Sequence, residues 1–435
     1  MVSSPVWTNW GRTATCRPAE VEHPATEEDI VAALKRAATG GERVKVPGSG
    51  HSFTDIACTG GRMIMLDHYK SVLDVDAGAK TVTVEAGLTI WELADILAEH
   101  GLAFPNLGDI GYQTISGAIS TSTHGTGHAL GGLATQVKAL RLVLADGATL
   151  DLSADSDPEA FKAAQVSLGA LGVISTVTLQ CVPAFTLHAV EGPGKLDAVL
   201  ESFDEQADSN DHYEFYWFPY TDACLVKTNN RTDAEPDPKG RVRAWFEDEL
   251  VGNTVFGLVC RMMRARPSWI PGLHRLVGKA ISRTEYSDRS DRVFTSPRRV
   301  RFAEMEYALP RESAVHAVRA VRRLIEEKRL DVAFPIECRV AAPDDIFLST
   351  AHGRRTAYVA VHVFEGMAYE PYFREVEAIM RPLGGRPHWG KLHYQDHHSL
   401  REVYPAWGRF AAVRARLDPH GRFTNAYLDR VLGGI

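Results

Sequence analysis

Cysteine is scarce in this chain: six in 435 residues, at 16, 58, 181, 224, 260 and 338, with no C-x-x-C pair. That spacing argues against a zinc knuckle, a dithiol redox motif or a disulfide framework, and implies a reducing, cytoplasmic setting. Basic excess is missing too. Lys and Arg number 48 against 55 Asp and Glu, a formal net charge of −7. Nucleic acid is therefore not expected as a partner, because phosphate contacts need a net basic footprint. No apolar run is long enough to span a bilayer, and Met1–Trp7 lacks a basic segment leading into an apolar one. Neither a transmembrane segment nor a secretory leader is expected. The dinucleotide fingerprint is also absent: Gly48-Ser49-Gly50-His51-Ser52-Phe53 has Phe at the third glycine, where close helix–strand packing is needed. There is no Walker loop, nucleophile elbow or H-E-x-x-H. His397-His398 beside Asp396 read as unliganded loop histidines, so no metal is expected.

What is present is an ordinary globular composition, 45% hydrophobic and 24% charged, in a chain long enough for two domains. Thr26-Glu27-Glu28-Asp29 predicts a capped helix start, with Gly40-Gly41 at its end. Strands are predicted at Val44–Val46, Met63–Leu66, Val72–Val75 and Thr81–Ala86, then a helix over Ile90–His100. Leu140, Leu142 and Leu144 alternate into Asp146-Gly147 and return through Leu150 and Leu152, which predicts a hairpin. Val173–Leu179 is a further strand. A second α+β segment follows from Phe185, with a long helix over Arg311–Arg329 and a helical C-terminal stretch from Arg401. Arg261–Arg301 is locally basic and reads as a solvated surface insertion.

Three segments carry chemistry. In Gly48–His51, Pro47 stops the strand, Gly48 and Gly50 permit positive φ, and His51 stands at the end of an exposed loop as a nucleophile or ligand. Ser116–Gly127 is almost entirely small, hydroxylated or glycine. It reads either as a buried turn where backbones approach closely or as a second anion loop that binds a pyrophosphate. With Leu168–Ile174, it suggests a cofactor held by backbone. Glu337-Cys338-Arg339, His362 and His388-Trp389-Gly390-Lys391 form the third group. On a strand Glu337 and Arg339 face one side, giving either a site for hydroxyl-rich ligands or a structural ion pair.

In this order, with Phe423-Thr424-Asn425, these motifs resemble the vanillyl-alcohol-oxidase type flavoproteins. Within them the chain is most similar to the aldonolactone oxidases, with the alditol oxidases as the alternative. The resemblance implies an α+β fold: a two-subdomain FAD-binding domain of the PCMH type over residues 1–185, a cap built on a large antiparallel sheet over 186–400, and a return to the FAD domain over 401–435. It implies FAD bonded covalently to His51 and held by Pro47, Gly48, Ser49, Gly50, Ser52, Asn106, Gly108, Ser116, Gly117, Ser120, Thr121, Thr123, His124, Gly125, Gly127, Gly172, Ile174, His388 and Asn425. Glu337, Arg339, Lys391 and His362 match substrate-site residues. The implied reaction is oxidation of a sugar-1,4-lactone or polyol, with O₂ or another electron acceptor. Pro105-Asn106-Leu107-Gly108-Asp109 stands where the alditol oxidases carry Met-Ala-Ser. Gly108 is closer to the lactone oxidases and leaves a path for O₂, whereas Asp109 differs from both.

Overall fold

Thr26 accepts the backbone N–H of Asp29, and Asp29 returns the bond to the N–H of Thr26, so α1 (Glu27–Gly40) begins at a capping box and stops at Gly41, φ +68°. The same reciprocal pair, Thr89 and Glu92, starts α2 (Ile90–Glu99). The computed structural model describes residues 5–240 and 253–434. Met1–Ser4 of the opening segment, and residues 241–252 and Ile435 of the expected domains, lie outside the described residues.

Three sheets organise the chain. β1 (Glu20–Glu22), β2 (Val44–Lys45) and β3 (Arg62–Ile64) form a parallel sheet in the order β1-β3-β2. β4 (Val72–Asp76), β5 (Thr81–Glu85), β6 (Val137–Val143), β7 (Thr149–Ser153) and β8 (Val173–Gln180) form an antiparallel sheet, β7-β6-β8-β5-β4, which contains the expected Asp146-Gly147 hairpin. The two share one hydrophobic core with α1 and α2. Phe410, Tyr427 and Val431 from the last helices pack into that core, as do Phe347 and Trp389.

The third sheet has eight antiparallel strands: β9 (Thr186–Lys195), β10 (His212–Trp217), β11 (Ala223–Thr232), β12 (Thr284–Arg289), β13 (Phe302–Pro310), β14 (Ile336–Ala341), β15 (Thr356–Phe364) and β16 (Arg386–Pro387), ordered β12-β9-β11-β10-β14-β15-β13-β16. Its strands alternate strictly. Tyr213, Phe215, Met305, Tyr307, Ile336, Cys338, Val359 and Val361 form one core with Val318, Val321, Phe373 and Val376 of the helices Ala314–Lys328 and Glu370–Met380. The period of two sends Glu214, Tyr216, Glu304, Glu306, Glu337, Arg339, Tyr358 and His362 to the opposite face. No described helix is long and apolar enough to cross a membrane.

Two expectations need correction. Ser116–Gly127 is not a loop throughout: Thr114 accepts the N–H of Gly117 and starts α3 (Ile115–Ser120). The long helix opens with a 3₁₀ turn, Arg311–Ser313, before its α-helical part begins at Ala314.

Candidate active site

An open cleft lies between the two sheets of the first core and is lined by Val46–Ser52, Thr114, Ser116, Gly117, Ser120, Thr121 and Gly172–Ile174. Its glycines serve different purposes. Gly50 has φ +72°, as expected. Gly48 has no positive φ; a Cβ there would lie 2.5 Å from the Thr114 hydroxyl, so it is glycine because the turn packs against the start of α3. Among the described residues, the backbone N–H groups of Gly48 to Ser52 donate to no protein acceptor. Asn106 Oδ1, buried beside Gly125 and outside the cleft lining, also has no partner. Free N–H donors, hydroxyls and glycines along an elongated cleft suit the phosphates and ribose of FAD, so the residues fit that cofactor.

His51 is not on an exposed loop. It is half-buried near Trp10 and Tyr112, with ring centroids 5.5 and 6.3 Å away. Burial, aided by the charge of Lys391, pushes its pKa down to about 4, leaving a neutral imidazole at neutral pH. The next residues tie it to the other motif: the Phe53 N–H donates to the Gly390 carbonyl at 2.7 Å.

Pro47, Gly48, Ser49, Gly50, His51, Ser52, Ser116, Gly117, Ser120, Thr121, Gly172 and Ile174 all line this cleft. Other expected cofactor residues do not. Asn425 caps the helix Ala426–Leu432, and its amide donates to the carbonyls of Asp55, Ile56 and Cys58, bracing the loop behind His51. Gly127, φ +148°, hydrogen-bonds through its N–H to Val340 of the large sheet. Thr123 receives a bond from Gln113. A Cβ on Gly108 would lie 2.8 Å from the His124 carbonyl, and one on Gly125 2.1 Å from that of Leu107, so these glycines mark a close crossing of two chain segments. Gly125→Ala is expected to destabilise this crossing. Thermal unfolding and FAD content of the purified variant measure the effect, and wild-type values for both would refute it.

His124 stacks on Tyr358 and meets Glu306 at 3.2 Å through Nε2, while its Nδ1 contacts the Gly125 carbonyl. His388 lies beside them. Its ring N Nδ1 accepts the Gly390 N–H, and burial pushes its pKa down to about 3. These three side chains lie close enough to hold an ion, 4.8 Å or less between ligand atoms. Their hydrogen bonds already engage one another and the backbone, and no metal centre is assigned to them.

The inner face of the large sheet carries a buried row of charges. Lys391 Nζ pairs with Glu304 at 2.5 Å; His362 Nε2 lies 3.6 Å from Glu304 and 3.9 Å from Glu337; Glu337 is ion-paired with Arg339. Arg339 continues to Glu214 and Asp109, both at 2.7 Å, and Asp109 to Arg298 at 2.7 Å. Glu337, Arg339, Lys391 and His362, distant in sequence, thus stand in one chain of contacts. Burial pushes the Glu337 carboxyl up to about 7 despite Arg339, with Asp109 and Glu214 adding to the rise. Glu304 behaves oppositely: burial opposes ionisation, but the Lys391 ammonium outweighs it and holds the carboxyl near 2. For Asp109 too, burial is outweighed, by the guanidiniums of Arg339 and Arg298, which hold it well below the carboxylate range. Met263, Ile270, His274 and Val293, all buried, show that the Arg261–Arg301 stretch is not wholly solvated.

Sequence reasoning missed Glu304, Glu306, Glu214, Tyr216 and Arg298. The signal for the first four was polar residues alternating with core residues, as in Glu304-Met305-Glu306-Tyr307. Lys45 was also missed. It lines the cleft, donates to the Phe423 carbonyl, and is brought by burial down to about 7.

Comparison with known proteins agrees with this architecture. Residues 18–153 match the FAD binding domain family, and residues 177–431 match the D-arabinono-1,4-lactone oxidase family. The chain is 48% identical to an L-gulono-1,4-lactone dehydrogenase of Mycobacterium tuberculosis, over 99% of this chain and 100% of that one. It is 37% identical to the L-gulonolactone oxidase of Bos taurus, over 97% of each. It is 33% identical to an alditol oxidase of Streptomyces, over 98% and 99%. Among solved structures, the cholesterol oxidase of B. sterolicum superposes with a TM-score of 0.79 at 18% identity, covering 98% of this chain and 96% of that one, a likeness of fold.

Proposed function

This chain belongs to the D-arabinono-1,4-lactone oxidase family and is an FAD-dependent oxidoreductase with a PCMH-type fold, and we propose that it oxidises a carbinol of a sugar-1,4-lactone of the L-gulono or D-arabinono type. The observation that carries this reading is the buried row Lys391–Glu304–His362–Glu337–Arg339, which adjoins the cleft end that holds His51. Pro47–Ser52, Ser116, Gly117, Ser120 and Thr121 would hold FAD, which would supply a two-electron acceptor for the hydride of the carbinol carbon. Glu337, uncharged below and ionised above about pH 7, accepts the hydroxyl proton. Arg339, fixed by Glu214 and Asp109, holds the substrate oxygens. Lys391, whose charge is felt at His51, supplies the positive field that favours reduction. A panel of aldonolactones and alditols tests the substrate class. We expect kcat/KM to favour a lactone; a preference for an alditol would reverse the assignment.

FAD is joined covalently through His51. The neutral, half-buried imidazole at the end of the cleft supports this. Acid precipitation of loaded protein is expected to leave the yellow colour in the pellet, and His51→Ala is expected to release it while still binding some FAD through the remaining cleft. Colour released from the wild type would rule out the bond. The six free cysteines support a cytoplasmic location.

O₂ is the acceptor in the first reading, giving H₂O₂. A second reading, a dehydrogenase using another acceptor, has a specific observation behind it: the space beside Gly108 is filled by the His124 carbonyl, so that glycine leaves no open path. Mixing substrate-reduced enzyme with aerated buffer separates them. Reoxidation within seconds supports the oxidase; stability for minutes, with immediate reoxidation by an added dye, supports the dehydrogenase.

A further inference from the structure

One part of the cap has no role in the site described above. Residues 253–283 contain six basic residues, Arg261, Arg264, Arg266, Arg275, Lys279 and Arg283, and no Asp or Glu, in a chain whose net charge is −7. They form two helices, α4 (Phe256–Ala265) and α5 (Ile270–Ala280), joined by a 3₁₀ turn at Pro267–Trp269. Both are anchored to the cap on one face. Cys260 packs with Phe334 and Phe364, and Met263 and Ile270 pack with Ala333.

The outer face is unusual. Leu258, Trp269 and Leu276 are 52%, 50% and 64% exposed, three of the seven large apolar side chains left exposed on the described surface. Single exposed leucines need no explanation, but these three share a segment with the basic residues. On α5 the exposed positions Gly272, Arg275, Leu276 and Lys279 fall at i, i+3, i+4 and i+7, a single stripe in which a leucine sits between two cations. On α4, Leu258 and Arg261 are likewise exposed one turn apart. Apolar side chains flanked by Lys and Arg, with a Trp at the turn, are what an interfacial helix presents to lipid. The absence of Asp and Glu from residues 253–283 favours an anionic surface.

We propose that α4 and α5 form a docking surface for an anionic phospholipid bilayer. Leu258, Trp269 and Leu276 enter the headgroup boundary, while Arg261, Arg275 and Lys279 meet the lipid phosphates. The attachment is peripheral and reversible. It is electrostatic first and apolar second, because three side chains bury too little surface to hold alone, whereas each basic residue near such a surface contributes about a fivefold gain in partitioning.

The test uses the full-length, FAD-loaded protein and sedimentation with vesicles of phosphatidylcholine alone or with a quarter phosphatidylglycerol. The expected result is binding to the anionic vesicles, little binding to the neutral ones, and release by high salt. The triple variant Arg261→Glu/Arg275→Glu/Lys279→Glu should partition about a hundredfold more weakly. Its turnover with a soluble lactone and dye should be unchanged, because none of these residues touches the site. Trp269→Ser/Leu276→Ser should bind more weakly as well, with its salt dependence retained. Failure of the wild type to bind anionic vesicles at low salt would overturn the proposal, as would undiminished binding by the triple variant. So would concentration-dependent self-association that Leu276→Ser abolishes while vesicles are ignored, a result that would assign the patch to a second copy of this chain.

Discussion

Lys391→Met is expected to slow flavin reduction by substrate about a hundredfold or more, the usual scale for removing a charge that stabilises a reacting centre. It also removes the partner of Glu304, which is buried and ion-paired at 2.5 Å. Leaving that buried carboxylate with only His362 beside it costs up to about 3–5 kcal/mol, so the melting temperature should fall as well. The two effects separate in a second variant. Lys391→Met/Glu304→Gln removes both charges and should recover most of the stability but none of the rate. Anaerobic stopped-flow reduction and thermal unfolding, measured on both variants, check this. A Lys391→Met enzyme with wild-type reduction and only a lowered melting point would make the pair structural.

Glu337→Gln should lower the reduction rate by about 10²–10⁴-fold, the span of a lost general base, and should change the pH profile. With its carboxyl pushed up to about 7, Glu337 is protonated, and unable to accept a proton, on the acid side. The wild-type rate should therefore rise through pH 7 and level off above it, and the variant should lose that limb. Stability runs the other way. The folded-state value lies above the 4.5 of an ordinary glutamate, so the native state binds the proton more tightly, and Glu337 costs stability as pH rises from 4.5 through 7. Glu304 has the reverse sign: held near 2, it contributes stability above 4.5 that is lost as pH falls through 2. Glu337→Gln should thus flatten the neutral-pH decline in melting temperature. A rate profile unchanged in Glu337→Gln would remove it from the proton transfer.

Much of this was legible in the chain, and the parts that were not share a physical cause. The capping box at Thr26 and Asp29, the Asp146-Gly147 hairpin and the alternating strand at Val173 follow from local geometry, and the structure has all three. Glu337 and Arg339 were expected on one side of a strand because the pleat repeats every two residues, and they lie so on β14. Which charges meet them was not readable, since strand order decides it. Glu214 lies opposite Arg339 and Tyr216 opposite Glu337 only because β10 pairs with β14, pairs 125 and 121 residues apart in the chain. Likewise Glu304 faces His362 because β13 pairs with β15. Gly48, Gly108 and Gly125 read as conformational or ligand-facing glycines in the sequence, yet each is crowded by another segment, Gly48 by the Thr114 hydroxyl and Gly108 and Gly125 by backbone carbonyls, which no local pattern reveals. Asn425, expected at the cofactor, lies outside the cleft lining and braces the loop behind His51.

The central claim, a buried charged row that delivers a sugar lactone to FAD, is tested most directly by anaerobic mixing of the loaded enzyme with aldonolactones. The account predicts that L-gulono-1,4-lactone or D-arabinono-1,4-lactone bleaches the yellow flavin absorbance within seconds, and that Glu337→Gln with its full FAD content remains yellow on that timescale. A wild-type enzyme that stays yellow with every lactone but is bleached by an alditol, or a Glu337→Gln enzyme bleached as fast as the wild type, would contradict it.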